Sequence, residues 1–393
     1  MKTNLKTTPL KTSALAAARE LAPLIVGLRD KTEASRNLAP PIVERLRDAR
    51  LCRLAVAEHL AGAELPIDTA LDVYEALSYA DASVGWVAWN NSLPCFLSRY
   101  LATSVRRDVF AIPSWLYACS TRPTGRAAVT ADGYRVSGRW GVVSGCELAE
   151  WVLLLCVVEE NGAPRMVTPG VPELRFAYLK RGEYKIVDTW HVSGLRGTGS
   201  HDVVVEDANV PRALSLFVAE PSTLDGPLGR LPIICTMAAT YGAQALGVAQ
   251  SAVDTLVELT STKVPPEGAP LRERPTLLGD IGRHSAALEA ARVYLHACAA
   301  QMWRTAVSGG PPALDEITAM WGAGLHAAAA AETAVDVAYA GGGISSLYTS
   351  CPLERAHRDI HAMRRHIVGQ AMWFEDAGRV RLGASPTHPL YAV

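Results

Sequence analysis

His366, in the stretch M-R-R-H-I-V-G-Q, can take or give a proton near neutral pH. The plainer alternative is a solvated or bundle-core histidine. Asn90 and Asn91, in V-G-W-V-A-W-N-N-S with Trp86 and Trp89, offer amides that hold a ligand by hydrogen bonds but exchange no proton; the alternative is that they end a helix. Glu354, His357 and His361 stand three and four residues apart, on one face of a helix. E-x-x-H is a ligand pattern of di-iron bundles, but such a site needs a second copy and two further carboxylates. The chain has no second copy, so no metal is expected. Gly194, Gly197 and Gly199 are out of order for a dinucleotide fingerprint and precede a strand rather than a helix, which argues against a nucleotide-binding βαβ unit.

The elements that position these residues fall into three textures. Residues 1–111 read as a helical domain: A-L-A-A-A-R-E-L-A-P-L-I-V-G-L-R-D-K-T-E-A-S-R has apolar residues at three- and four-residue steps, and P-P-I-V-E-R-L-R-D-A-R-L follows a proline break. D-T-A-L-D-V-Y-E-A-L-S-Y-A-D-A-S-V-G-W-V-A-W repeats the pattern, with Asp68 as its expected N-cap. Residues 112–225 are β-branched and broken by turn signals; Asp132-Gly133 predicts a hairpin, and W-V-L-L-L-C-V-V a buried strand. Residues 226–393 return to helix, with segments near 230–262, 275–308, 313–340 and 353–377 separated by P-P-E-G-A-P, S-G-G-P-P and G-G-G-I-S-S. Four long helices with short connections predict an antiparallel bundle. The expected class is α+β: helices, a compact β domain, then a helical bundle and tail. If 353–377 is one helix, His366 shares a stripe with Arg355, Asp359 and Ala362.

Composition narrows the function. A chain of 393 residues, 49% hydrophobic, buries a sizeable core. A net charge of -1 supplies no basic field for nucleic acid. The 8 cysteines form no C-x-x-C pair or zinc spacing, which predicts neither a disulfide framework nor a structural metal and suits a reducing cytoplasm. M-K-T-N-L-K-T-T-P-L-K-T-S lacks the apolar run of a signal peptide, and no stretch reaches the ~20 apolar residues of a membrane span.

The order of domains resembles the acyl-CoA dehydrogenase superfamily, and four motifs sharpen the likeness. A-C-S-T-R-P-T-G (118–125) looks like the family's T-E-P-G segment, and V-S-G-R-W-G-V-V-S-G (136–145) like the strand that brings a Ser or Thr to the flavin. G-L-R-G-T-G-S-H-D-V-V-V-E-D-A-N-V-P (194–211) follows the G-x-R-x-S-x-T spacing. G-G-G-I-S-S-L-Y-T-S-C-P-L-E-R-A-H-R-D (341–359), with Gly342 and Gly343, resembles the C-terminal glycine turn and R-D helix.

Two departures separate subfamilies. The position matching the dehydrogenases' catalytic Glu is Ser350, whose hydroxyl cannot remove a thioester's α-proton. The E-G-T-like segment is replaced by M-R-R-H-I-V-G-Q. A histidine here resembles the flavin-dependent monooxygenases of the same fold, which receive reduced FMN or FAD from a separate flavin reductase and use O2 through a C4a-hydroperoxide. The resemblance implies that His366 serves the peroxide or substrate and that Ser144 bonds near flavin N5, rather than merely closing a turn. It implies that Ser120 and Thr121 offer backbone amides to the ring, and that Arg196, Thr198 and Ser200 lie by the ring or phosphates. Trp140 packs at the flavin or simply in the core. The arginines from 355 to 365 form a solvated face or meet a flavin phosphate or an acidic neighbour. Hydroxylases of the group often carry a histidine where Asn90 and Asn91 stand, with Asn91 the candidate here. Their amides point away from simple phenol hydroxylation and towards an amine or natural-product intermediate as well as a small aromatic. A homotetramer is implied, because a second subunit completes each flavin site. The competing readings are a dehydrogenase or oxidase with a relocated base, and an inactive scaffold.

Overall fold

The structure is a computed structural model that describes residues 8–263 and 270–387. Most of the P-P-E-G-A-P separator therefore lies outside the described residues. The N-terminal helices are α1 (Thr8–Gly27), α2 (Arg29–Ser35), α3 (Pro40–Asp48), α4 (Ile67–Ala80), α5 (Ala82–Leu97) and α6 (Thr103–Val109). The strands are β1 (Tyr117–Val129), β2 (Gly133–Trp140), β3 (Trp151–Glu160), β4 (Ala163–Pro164), β5 (Met166–Thr168), β6 (Val171–Pro172), β7 (Leu174–Lys180), β8 (Lys185–Val187), β9 (Asp202–Pro211) and β10 (Ser215–Leu216). Helices α7 (Ile233–Thr262), α8 (Pro275–Ser308), α9 (Leu314–Gly342), α10 (Pro352–Met363) and α11 (Met372–Arg381) follow. No described helix is long and apolar enough to cross a membrane.

The pattern read as one helix over Asp68 to Trp89 is two. Asp81 breaks it: in extended conformation, its carboxylate accepts from the Ser83 and Val84 amides and caps α5. Asp68 is not the N-cap of α4. Pro66 holds that place, and Asp68 sits in the first turn, where a carboxylate favours the positive end of the helix dipole. Every residue of α5 is buried. Pro94 inside it lacks an N–H, which frees the Asn90 carbonyl, and the Cys119 thiol lies 3.8 Å from that oxygen.

The main sheet runs β10-β7-β3-β1-β2-β9-β8, with β4 on the edge of β3. The Asp132-Gly133 hairpin joins β1 to β2 in antiparallel register, Val129 opposite Tyr134. Among the described residues only the β1–β3 pairing in this sheet is parallel, and it contains the irregularity that matters most: Ser120 pairs with Leu154 but Gly125 with Cys156. The residues between Ser120 and Gly125 arch out of the ladder. Trp140 is fully buried in the sheet's own core, its indole donating to the Leu155 carbonyl at 2.8 Å. A Cβ on Gly125 would fall 1.8 Å from that indole.

In the bundle, α7 and α9 approach backbone to backbone. A Cβ on Gly324 would lie 2.2 Å from the Ala238 carbonyl, and one on Gly242 2.7 Å from the Gly324 carbonyl, so glycine is required on both sides. The expectation of one helix over 353–377 is not met. Tyr241 on α7 donates to the Met363 carbonyl at 3.1 Å, and Arg364 donates to the Gly369 carbonyl at 2.9 Å. These tertiary bonds take up carbonyls that a continuing helix would use, and the chain turns until α11 begins.

Candidate functional site

All three parts of the chain face one cavity of about 990 Å³. Trp86, Trp89, Asn90 and Leu93 of α5 form one wall. Their spacing of three, four and seven puts them on one helix face. The arch of β1 contributes Ser120 to Thr124, lifted into the cavity by the irregular register. The turn after β2 brings Val142 and Ser144; the β8–β9 connection brings Trp190, Leu195 and Ser200; the segment from Ala362 to Met372 closes the far side.

Two lining residues, Val142 (φ 62°) and Leu195 (φ 52°), occupy the left-handed region that costs a non-glycine side chain energy. Their surroundings hold them there. The Val143 amide donates to the His201 carbonyl at 3.0 Å and the Gly145 amide to the Thr198 carbonyl at 2.8 Å. The buried Asp359 carboxyl accepts the Leu195 amide at 2.6 Å. Strain maintained by buried hydrogen bonds beside a cavity points to function.

His366 adopts an extended conformation outside any helix, and its Nδ1 accepts the Val368 amide at 3.3 Å. Its ring lies between Trp86 (5.4 Å between centroids) and Trp89 (5.3 Å), both edge-on, with Tyr241 at 6.4 Å. Burial among these rings pushes the imidazole pKa down to about 4, so it is neutral at pH 7. With Nδ1 accepting, the ring proton sits on Nε2, as a donor. The stripe with Arg355, Asp359 and Ala362 does not exist, because α10 ends at Met363 before reaching His366.

In the cavity wall and beneath it, buried hydroxyls connect. Trp86 Nε1 donates to Ser144 Oγ at 3.1 Å, Ser144 Oγ lies 2.7 Å from Ser200 Oγ, and Ser200 Oγ lies 2.6 Å from Thr198 Oγ1. Trp89 Nε1 donates to Thr240 Oγ1 at 2.8 Å. No aspartate or glutamate is among the described residues lining the cavity. Its cations are Arg122 and Arg365, neither of which has a carboxylate within 4.0 Å among the described residues.

Comparison with known proteins agrees with this geometry. A profile of the family described as "Acyl-CoA dehydrogenase, C-terminal domain" matches residues 239–371. Indole-3-acetate monooxygenase of Pseudomonas putida is 27% identical over 380 residues, covering 95% of this chain and 96% of that protein. The flavin-dependent monooxygenase oxygenase subunit HsaA of Rhodococcus jostii is 27% identical over 357 residues, 88% of this chain and 92% of that one. Among solved structures, XiaF from Streptomyces sp. in complex with FADH2 and glycerol superposes with a TM-score of 0.89 at 24% identity, over 98% of both chains. The chain is a homologue of flavin-dependent monooxygenases built on the acyl-CoA dehydrogenase fold.

Within this monooxygenase homologue the residues singled out from sequence part company. His366, Ser144, Ser120, Thr121 and Ser200 line the cavity. Thr198 lies beneath it, through Ser200. Trp140 does not reach it, because its indole fills the space above Gly125. Asn91 does not line it either: one helical position off the wall, its amide donates to the Tyr117 carbonyl at 2.6 Å. Asn90 faces the cavity instead, its Oδ1 accepting the Cys119 amide at 3.4 Å. The spacing of Trp86, Trp89, Asn90 and Leu93 carried that signal.

Arg196 stands outside, 3.6 Å from Glu33, in a separate small pocket with Arg29 and Asp81. Gly342 and Gly343 close α9 and do not line the cavity. The arginines of α10 meet acidic neighbours: Arg355 pairs with Asp30 and Glu33, Arg358 with Glu33 and Glu354, and Arg364, just beyond the helix, with Glu332. Glu354 pairs with Arg358 and does not join His357 and His361 in a group of possible metal ligands; Asp336 does. The two histidines gather around Asp336 instead, at 3.4 and 2.8 Å, on the bundle surface. Arg365 belongs to the arginine stretch that the sequence offered to a flavin phosphate, and of Arg355, Arg358, Arg364 and Arg365 it is the one that lines the cavity. Met237 and Tyr241 were not found from sequence, since their roles depend on how α7 packs against distant segments.

Proposed function

We propose that this protein is the oxygenase component of a two-component flavin-dependent monooxygenase, transferring one atom of O2 to a small aromatic or related biosynthetic substrate. A separate flavin reductase supplies reduced FMN or FAD. The observation that carries this reading is a cavity walled by a neutral imidazole, a serine and two tryptophans, with no carboxylate among the described residues of its lining. A dehydrogenase needs a base there to strip an α-proton, and Ser350 lies in an exposed turn away from the cavity.

The residues present fit a flavin. About 990 Å³ accommodates a tricyclic ring and a substrate, the β1 arch presents main-chain groups along one edge, and Arg122 and Arg365 suit a phosphate. Reduced flavin, when bound, supplies the electrons and the carbon that activates oxygen. The chain's own residues do the rest. Trp86 and Trp89 exclude water, Asn90 and His366 Nε2 offer donors to substrate and reacting oxygen, and Ser144 holds the ring's edge.

Gly342 and Gly343 belong, in this reading, to a neighbouring subunit's flavin in a homotetramer. The solvent-facing Ile344, Leu347 and Tyr348 beside them support an interface. The eight free thiols suit a reducing cytoplasm. The test is to mix the protein with photoreduced FAD or FMN, isotopically labelled O2 and small aromatic substrates. One labelled oxygen in the product is the expected result. Tightly bound oxidised FAD that bleaches on adding an acyl-CoA would overturn it.

A further inference from the structure

We propose that Thr198, Ser200 and Ser144 form a one-way hydroxyl relay that makes the cavity select reduced over oxidised flavin. The inference rests on the reading above, in which the flavin ring lies with its N5 edge against Ser144.

Direction follows from counting protons. A hydroxyl has one proton to donate and two lone pairs to accept with. Thr198 Oγ1 lies 2.8 Å from the Leu195 carbonyl oxygen, nearer than the Trp190 indole N–H at 3.0 Å and the Thr198 amide at 3.2 Å that reach the same atom; that oxygen can only accept, so this closest contact is donated by Thr198 and takes its proton. The 2.6 Å contact between Thr198 and Ser200 must then be donated by Ser200. That uses the Ser200 proton, and the 2.7 Å contact between Ser200 and Ser144 must be donated by Ser144. Trp86 Nε1, which can only donate, fills one Ser144 lone pair at 3.1 Å. Ser144 is left with one lone pair and no proton. Towards the cavity it is an acceptor only.

Reduced isoalloxazine carries a hydrogen on N5, whereas the oxidised ring presents a lone pair at the same atom. An acceptor-only Ser144 therefore pairs with the reduced ring and faces the oxidised one lone pair to lone pair. To donate to oxidised flavin, Ser144 must abandon Ser200, leaving a buried hydroxyl oxygen short of its partner. Thr198 and Ser200 are positioning residues: both are almost wholly buried, and although Ser200 reaches the cavity wall its proton is spent on Thr198, so they act through Ser144. Such a device suits a protein that takes flavin already reduced and must let it go once oxidised.

The test is equilibrium binding, read separately from turnover. The dissociation constants of the full-length protein for oxidised and anaerobically reduced FMN and FAD are measured by titration, for wild type and for Ser200→Ala, Thr198→Val and Thr198→Ser. Ser200→Ala frees the Ser144 proton to turn to the cavity. Thr198→Val lets Ser200 donate to Ser144 and reverses the relay. In both, the preference for reduced flavin falls by roughly tenfold through tighter binding of the oxidised form. That corresponds to a shift of about 30 mV in the potential of the bound two-electron couple. Thr198→Ser keeps the wild-type ratio. Equal ratios in wild type, Ser200→Ala and Thr198→Val overturn the relay while leaving the flavin reading intact. A wild type that binds neither form defeats that reading and the relay with it. Should Thr198→Val not fold, Ser200→Ala decides alone.

Discussion

Nδ1 of His366 accepts the Val368 amide at 3.3 Å, which leaves the imidazole's only proton on Nε2. With the ring held down to about 4 by burial, it is a neutral donor across the working range of most enzymes. His366→Ala should therefore raise the fraction of O2 released as hydrogen peroxide and lower product by roughly a hundredfold, while His366→Gln, which retains an N–H donor, recovers part of the loss. The product-to-peroxide ratio of wild type should show no imidazole inflection between pH 5 and 8. Unchanged coupling in His366→Ala would remove this residue from the chemistry.

The same low value makes His366 an acid-sensitive element of the fold. Unfolded, the imidazole titrates near ~6.5; folded, near about 4. Between these values the unfolded chain binds the proton first, so stability falls as pH drops from about 6.5 to 4. Its contribution reaches about 3 kcal/mol at full protonation. His366→Gln should lose less stability than wild type over that window in urea melts at pH 7, 5.5 and 4. Parallel pH profiles for the two proteins would show that the folded ring protonates as easily as the unfolded one.

Gly369 is required by Tyr241. A Cβ at 369 would lie 2.4 Å from the Tyr241 oxygen, the atom that also donates to the Met363 carbonyl and stops α10. Gly369→Ala should displace the His366 loop and destabilise by roughly 1–3 kcal/mol, and Tyr241→Phe alone should cost about 1 kcal/mol. The double variant removes the clashing oxygen and should be less destabilised than the two singles summed, which a thermal-melt cycle measures. Additive losses would mean the backbone accommodates the methyl without meeting Tyr241.

Much of this architecture was legible because local pattern and tertiary structure agree. The β1–β2 hairpin turns at the Asp-Gly that signals it, and the bundle helices begin and end near their proline and glycine separators. What was not legible depends on contacts far apart in sequence. Nothing within residues 353–377 says that Tyr241 will take the Met363 carbonyl, so the local pattern reads as helix straight through His366. Nothing local says that Trp140 fills the space above Gly125 instead of facing a ligand. Asn90 and Asn91 differ by one position, and only the helix face chosen by Trp86, Trp89 and Leu93 separates the wall from the core.

Arg122 and Arg365 offer a test of how the flavin tail is held. Both line the cavity without carboxylate partners among the described residues, in contrast to Arg355, Arg358 and Arg364. Arg365→Gln should weaken reduced FMN by roughly tenfold and leave reduced riboflavin, which lacks the phosphate, unchanged. The FMN effect should shrink with added salt, since the guanidinium is exposed. Equal losses for FMN and riboflavin would place Arg365 at the ring or substrate instead.

Asp359 supplies the opposite pH signature to His366. Burial, with Asp81 nearby, holds its carboxyl up to about 7 while it accepts the Leu195 amide at 2.6 Å. An unfolded aspartate titrates near ~3.9, so from there to about 7 the unfolded chain ionises first and stability falls as pH rises. An asparagine in its place would keep an acceptor oxygen for Leu195 but could not ionise. Asp359→Asn should therefore match wild type near pH 4 and exceed it by a few kcal/mol at pH 8, with the gap opening across that interval. Flavin binding should survive, because the Leu195 carbonyl that anchors Thr198 stays in place. If wild type is the more stable at pH 8, Asp359 is ionised in the fold and is held by Arg29 and Arg358 strongly enough to offset its burial.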